Sequence, residues 1–178
     1  MNIVLINGSP RPKGTSALLS DEFIKGATAK GHCINVFNAA KEELHPCIAC
    51  DKCRTAANGC VFKDGMEKLN PLLLSADMVV FVTPLYYFGM SSQIKIAIDR
   101  FYANNSALRA QPKKFAVLAT CGDQEDWTFD ALKLHYESLG KYLNWELIGS
   151  VYAEGVYVRE DIENSSYPER AYEFGSSL

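Results

Sequence analysis

Several common binding modes lack their sequence signatures in these 178 residues. The net charge is only −3, from 18 basic and 21 acidic side chains, so there is no electrostatic footprint for nucleic acid or an anionic membrane. The charge is also mild for a small acidic electron carrier. No apolar run approaches the roughly 20 residues of a membrane-spanning helix. The first residues show no charged segment, no long apolar stretch and no cleavage site, which predicts no signal peptide. His32, His45 and His135 are scattered and offer no metal triad. There is no Gly-Lys-Ser/Thr ending of a Walker A loop and no G-x-G-x-x-G dinucleotide fingerprint, which argues against a tightly held NAD. No internal repeat and no second domain is visible, and the length suits one domain with a substantial core.

The chain does contain alternating strand and helix patterns. Ile3–Ile6 is a continuous apolar run of the kind buried on both faces in a parallel sheet. Leu19, Phe23 and Ala27 recur at helical spacing, predicting a helix from about Thr15 to Lys30 that ends at Gly31. A second strand follows at Cys33–Phe37, a third at Met78–Val82, a fourth at Phe115–Ala119 and a fifth at Glu146–Val151. Helical faces lie between them: Met66, Leu69, Leu73 and Ala76, with Pro71 either kinking the helix or starting a new one; Ile94, Ala97, Ile98 and Phe101, capped by Ser91 or Ser92; and Leu132, Tyr136, Leu139 and Leu143. This predicts an α/β fold, a three-layer, doubly wound five-stranded parallel sheet of order 2-1-3-4-5. Residues 1–153 form that domain, interrupted by a cysteine-rich insertion at about 38–64; residues 154–178 read as a polar tail with one short helix at Glu169–Phe174.

In such a sheet the loops after strands one, three and four open onto one crevice. The first, running to Ser16, carries the hydroxyls of Ser9, Thr15 and Ser16, the backbone of Gly14 and the guanidinium of Arg11. At the start of a helix that set suits a phosphate monoester. A simple strand-to-helix connection would need fewer residues of these special types. The second loop places Tyr86, Tyr87 and Phe88 between Pro84-Leu85 and Gly89, suited to a flat ring unless these aromatics are core packing. The third is Thr120, Cys121, Gly122 and Asp123.

Asn7-Gly8-Ser9-Pro10-Arg11 with Gly14-Thr15-Ser16 resembles the NADPH-dependent FMN reductase-like branch of the flavodoxin-like superfamily. Thr83-Pro84-Leu85-Tyr86 followed by Lys95 and Ile98-Asp99-Arg100 resembles that branch's second signature. The resemblance runs to about Ala153 and implies FMN as cofactor and NAD(P)H as transient co-substrate. Ser9, Arg11, Thr15 and Ser16 would then serve the FMN phosphate, Pro84–Phe88 the isoalloxazine and ribityl, and Thr120–Asp123 the closing edge of the ring site. The family often has Asn-Thr where this chain has Thr15-Ser16, so the hydroxyl at Ser16 is retained. Relatives are commonly homodimers or homotetramers. No side chain need act as general acid or base, and Asp99 and Arg100 are expected to anchor their helix or a subunit contact.

Four of the six cysteines, Cys47, Cys50, Cys53 and Cys60, fall in the insertion. Their close spacing suggests metal or redox chemistry in a reducing cytoplasm before disulfides. The pattern looks like the compact motif of the iron–sulfur flavoproteins, which implies a [4Fe–4S] cluster; a zinc site more often uses two separated Cys-x2-Cys pairs. The other alternative is that these cysteines merely fold a loop. Cys33 is expected in the core, Cys121 beside the ring as a spectator, and His45 in solvent. Three functions follow: an oxidoreductase passing electrons from NAD(P)H to a small-molecule or protein acceptor, an electron carrier, or a redox-sensing flavin module without turnover.

Overall fold

The computed structural model describes residues 1–55 and 59–178. Five strands, β1 (Asn2–Asn7), β2 (Cys33–Asn38), β3 (Met78–Pro84), β4 (Lys114–Thr120) and β5 (Glu146–Ala153), form one parallel sheet of order β2-β1-β3-β4-β5. The expected fold and strand order are borne out. The three most apolar strands are the central ones because both of their faces are covered. Side chains alternate between two cores: Leu5, Val80 and Ala116 share a layer on one face, while Ile6, Phe81 and Val117 share one on the other.

One face is covered by α1 (Thr15–Ala29) through Leu19, Phe23 and Ala27. The other is covered by α3 (Met66–Ser75), α4 (Ser92–Arg100) and α6 (Asp130–Leu143), whose Leu69, Leu73, Ile94, Ala97, Leu132 and Tyr136 are fully or almost fully buried. A 3-10 turn at Phe101–Asn104 leads into the short α5 (Asn105–Ala110). Of the two alternatives for Pro71, a fresh start does not occur: it lies inside one continuous α3.

The C-terminal residues differ from the expectation of a polar tail with one helix. They form α7 (Arg159–Glu163) and α8 (Tyr167–Ser176), and α8 packs along α1. Gly26 and Gly175 make this approach close: a Cβ on either would run into the other helix's backbone, at Tyr172 O and Phe23 O respectively. Ala171 and Phe174 then complete the apolar layer over α1. Cys33 is a second difference. It is exposed, at the first position of the edge strand β2. Among the described residues no helix is long and apolar enough to cross a membrane.

Candidate functional site

At the C-terminal edge of the sheet a cavity of about 760 Å3 opens between the loops that follow β1, β3, β4 and β5. Asn7 ends β1 and turns the chain: its Oδ1 accepts the Ser9 N–H at 2.9 Å, while Gly8 donates its N–H to Val82 O at 2.9 Å. Gly8 must be glycine here, since a Cβ would meet Ser91 Oγ and Ile94 of α4. The loop then bends back through Gly14, whose N–H donates to Arg11 O at 3.1 Å, and enters α1.

Helix α1 has no side-chain cap: Gly14 occupies the N-cap position, and the first turn contains no acidic residue. Its leading N–H groups and positive dipole end therefore face the cavity without a built-in anion. Ser16 and Thr120 are buried, and their hydroxyls meet at 2.8 Å; Thr15 Oγ1 donates to Thr120 Oγ1 at 3.0 Å. Three hydroxyls from two elements thus converge beside an uncapped helix. Arg11 and Lys13 stand exposed on the rim.

The opposite wall is Pro84, Leu85 and Tyr86 with Cys121 and Gly122. Leu85 N–H donates to Thr120 O at 2.8 Å, extending the pairing of β3 with β4 into the loops. Tyr86 and Gly89 exchange both backbone hydrogen bonds around a tight turn whose central residues, Tyr87 and Phe88, have φ of 46° and 62°. That left-handed conformation is unusual for bulky side chains. Tyr87 is fully exposed at the tip, while Phe88 lies against Trp127 with ring centroids 5.0 Å apart. The alternative of core packing for these three aromatics does not occur: all are exposed. Tyr87, Phe88 and Asp123 line an adjoining depression of about 290 Å3 with Leu85, Cys121, Gly122 and Thr128. Cys121 is buried, which pushes its thiol pKa up, and its Sγ–H donates to Asp123 O at 3.3 Å.

The structure thus brings Ser9, Arg11, Gly14, Thr15, Ser16, Pro84, Leu85, Tyr86, Thr120, Cys121 and Gly122 to one cavity and sets Tyr87, Phe88 and Asp123 beside it. It adds Val156, Tyr157, Val158 and Arg159, which the sequence pass left in the tail. Three backbone bonds tie this segment to the third loop: Cys121 N–H to Ala153 O, Val156 N–H to Cys121 O and Gly155 N–H to Asp123 O. The signal was available, because the loop after a fifth parallel strand must leave from the same rim as the others.

The cysteine segment lies away from this cavity. Cys47, Cys50, Cys53 and Cys60 all line one small pocket of about 20 Å3, with Ile48, Val61, Phe62 and Tyr102 as apolar wall. Ala49 and Asp51, with φ of 52° and 55°, curl the backbone between the first three cysteines. The short α2 (Lys52–Thr55) carries Cys53, whose thiol pKa is raised by burial and by the nearby Cys60, Cys50 and Cys47. Among the described residues no three His, Cys, Asp or Glu side chains are arranged to grip a metal ion.

A buried ion pair fastens this segment to α4. Arg100 Nη1 lies 2.8 Å from Asp64 Oδ2 and donates at 2.7 Å to His45 O, with both side chains of the pair at most 2 % exposed. Asp64 also accepts the N–H groups of His45 and Met66, each at 3.0 Å. Burial alone would raise its pKa, but Arg100 and these two N–H groups outweigh that and hold it at about 2. Arg100 also lies over the Phe62 ring, 5.2 Å from its centroid, and His45 stacks on the same ring at 4.8 Å. His45 is therefore not a free solvated residue: its ring is exposed, but its backbone belongs to the clamp.

A doubly wound sheet with an uncapped helix and converging hydroxyls at its switch point has the arrangement at which ligands bind in such sheets, with anion-attracting amides at the helix start. Residues 1–140 match the model of NADPH-dependent FMN reductase, and the chain belongs to that family. An iron–sulfur flavoprotein of Methanocaldococcus jannaschii is 32% identical over 100 residues, covering 56% of this chain and 51% of that one. The chain spans about half the length of the curated relatives it matches first. Among solved structures, an azoreductase from Bacillus anthracis superposes with a TM-score of 0.76 at 18% identity, covering 99% of both chains. An FMN-dependent NADH-azoreductase from the same species, in complex with FMN, gives 0.70 at 16% identity, covering 99% of this chain and 98% of that one. These two show the shared fold.

Proposed function

We propose that the chain binds FMN in the 760 Å3 cavity and is an oxidoreductase that takes hydride from NADPH or NADH and passes electrons to a second acceptor, a quinone, flavin or other small oxidant. The observation that carries this is the uncapped start of α1 beside three converging hydroxyls, an anion site with no anion of its own, facing an aromatic wall. FMN supplies the hydride and electron chemistry through its ring. The chain's residues bind and orient. The α1 amides with Thr15 and Ser16 hold the phosphate, assisted by Ser9, and Arg11 offers a planar pair of N–H groups from the rim. Pro84–Tyr86 and Cys121–Gly122 flank the ring, and the depression lined by Tyr87, Phe88 and Asp123 leaves space for the second substrate.

Stopped-flow mixing of the FMN-loaded protein with NADPH and with NADH tests this. Rapid bleaching of the flavin is expected with one of them. No bleaching with either would leave a flavin-binding module without turnover, and no affinity for FMN would overturn the assignment.

A second role is favoured by the cysteine pocket. Four thiols lining one pocket with an apolar wall suit a [4Fe–4S] cluster held by Cys47, Cys50, Cys53 and Cys60, a group that supplies one-electron transfer. The pocket is small, so seating it requires movement of the exposed Cys47 and Cys50. Iron and sulfide analysis with the visible spectrum of protein purified without oxygen decides this: a flavin spectrum alone, without iron, removes the cluster. The proposal extends to a cytoplasmic homodimer or homotetramer with no nucleic-acid or membrane partner, for which the exposed Tyr86, Tyr87, Phe88 and Trp127 provide apolar contact surface. Analytical ultracentrifugation tests the assembly.

A further inference from the structure

The segment after β5 brings a cation to the start of α1. Arg159 lines the 760 Å3 cavity, and its Nη1 donates to Gly14 O at 3.5 Å, a contact between residues 145 positions apart. Gly14 is the N-cap of α1, so the guanidinium stands against the uncapped end of that helix. Its mount is fixed on both sides. Val156 and Ile162 are buried in the core beneath α1, and Val158 N–H donates to Asp161 Oδ2 at 2.8 Å. Nε donates to Glu163 Oε1 at 2.6 Å, which sets the plane of the fork. These bonds use two of its five N–H groups, and the other three have no hydrogen-bond partner among the described residues. The pair with Glu163 is an exposed i,i+4 contact of the kind that adds little, and it does not account for the approach to Gly14. Arg11, by contrast, is exposed on the rim, whereas Arg159 is partly buried and held by two bonds.

We infer that Arg159 is a phosphate-binding residue: its outer N–H groups meet the monoester received at the start of α1, and make the site selective for phosphorylated over unphosphorylated flavin. The inference rests on the FMN reading for the identity of the ligand. Charge balance calls for such a residue. A phosphate monoester carries about −1.5 to −2 near pH 7, while a helix start offsets only about half an elementary charge. The hydroxyls of Thr15, Ser16 and Thr120 bring no charge, so a fixed cation completes the site. Glu163 occupies Nε, which leaves the end-on edge of the fork, Nη1 and Nη2, for a planar pair of bonds to the anion. The Glu163 carboxylate is half in solvent, so water screens its opposing charge. Residue 159 lies outside the residues matched to the family, and the match itself assigns it no role.

The test titrates FMN and riboflavin, by fluorescence, into the full chain freed of flavin, as wild type, Arg159→Met and Arg159→Lys. Wild type is expected to bind FMN more tightly than riboflavin. Arg159→Met should weaken FMN binding about tenfold, the loss of one charge-assisted contact, and leave riboflavin within about twofold. Arg159→Lys keeps the charge without the planar fork and should recover part of that loss. An unchanged ratio of the two affinities in Arg159→Met overturns the role. So does an equal loss for both flavins, which is what a merely structural arginine would give. If wild type binds neither flavin, the FMN reading fails separately, and inorganic phosphate then judges Arg159. At ionic strength matched with chloride, phosphate should raise the Tm of wild type more than that of Arg159→Met. An equal rise in both, or none in either, overturns the inference.

Discussion

The hydroxyls of Thr15, Ser16 and Thr120 and the thiols of Cys47, Cys50, Cys53 and Cys60 are held in place by different physics. The hydroxyls sit at the ends of β4 and α1, elements whose other residues are locked by the two apolar cores. The thiols ride on a segment whose only helix among the described residues is a four-residue turn, and it is fixed to the domain through Asp64, His45 and Phe62 gathered around Arg100, with Tyr102 donating to Asp51 Oδ1 at 2.9 Å further out. The first site inherits the stability of the sheet. The second depends on one buried ion pair, so the two should separate under perturbation.

The largest separation is expected from Arg100→Met. Removing one partner leaves Asp64 buried and unpaired and His45 O without its donor, a loss of about 3–5 kcal/mol. It should appear in hydrogen exchange as lost protection over 44–55 and 59–64, with the β1, β3 and β4 loops and the affinity for FMN little changed. Equal loss in both regions would show that the sheet, too, depends on the clamp.

Acid should reproduce part of this. Asp64 has its folded pKa lowered from 3.8 to about 2, so its contribution is complete above about pH 4 and is lost as the pH falls through 2. The amount is about 2 kcal/mol at most. Denaturant unfolding at pH 5 and pH 2 should show a larger acid loss in wild type than in Asp64→Asn, since the variant lacks this carboxylate. Equal losses would place the acid sensitivity elsewhere.

A smaller effect is expected at the sheet-borne site. Ser16→Ala removes one of the three converging hydroxyls while leaving the Thr15–Thr120 bond in place. A hydrogen bond to a charged group contributes about 1.5 kcal/mol or more, roughly a tenfold weaker Kd for FMN. Fluorescence titration measures it, and exchange over 44–55 and 59–64 should not move. An unchanged Kd would mean that the phosphate does not sit on this hydroxyl.

The contrast also explains how much could be read before the structure. The sheet and its order were legible because Ile3–Ile6, Met78–Val82 and Phe115–Ala119 are apolar at every position, which only strands covered on both faces tolerate. The first and second loops were legible because polar and special-backbone residues follow those runs directly. For Val156–Arg159 the end of β5 pointed to the rim, but the backbone bonds that carry the segment on past Cys121 and Asp123 are long-range and leave no local pattern. The role of His45 escaped for a similar reason, since it acts through its carbonyl, and no side-chain type encodes that. Packing of α8 on α1 rests on Gly26 and Gly175, and two glycines 149 positions apart give no periodic signal.

The smallest expected effect concerns the turn between the two regions. Tyr87 and Phe88 both occupy left-handed backbone, which costs a residue with a Cβ roughly 1–2 kcal/mol. Glycine removes that cost but adds about 0.5–1 kcal/mol of chain entropy lost on folding. Tyr87 is wholly exposed and gives up no burial, so Tyr87→Gly should raise the stability of the isolated chain by a few tenths to about 1 kcal/mol. Phe88 differs in being more than half buried and in resting on Trp127, a contact of about 0.5–1.5 kcal/mol beyond that burial, so Phe88→Gly should be destabilising. Chemical denaturation of the two variants side by side measures the difference, under conditions where the protein is shown to be monomeric. If Tyr87→Gly instead lowers stability there, the side chain has a partner in solution, and the strain in this turn is held by that contact. If the loss appears only at concentrations where the chain self-associates, Tyr87 is part of the contact between copies, and the aromatic rim of the cavity is an assembly surface.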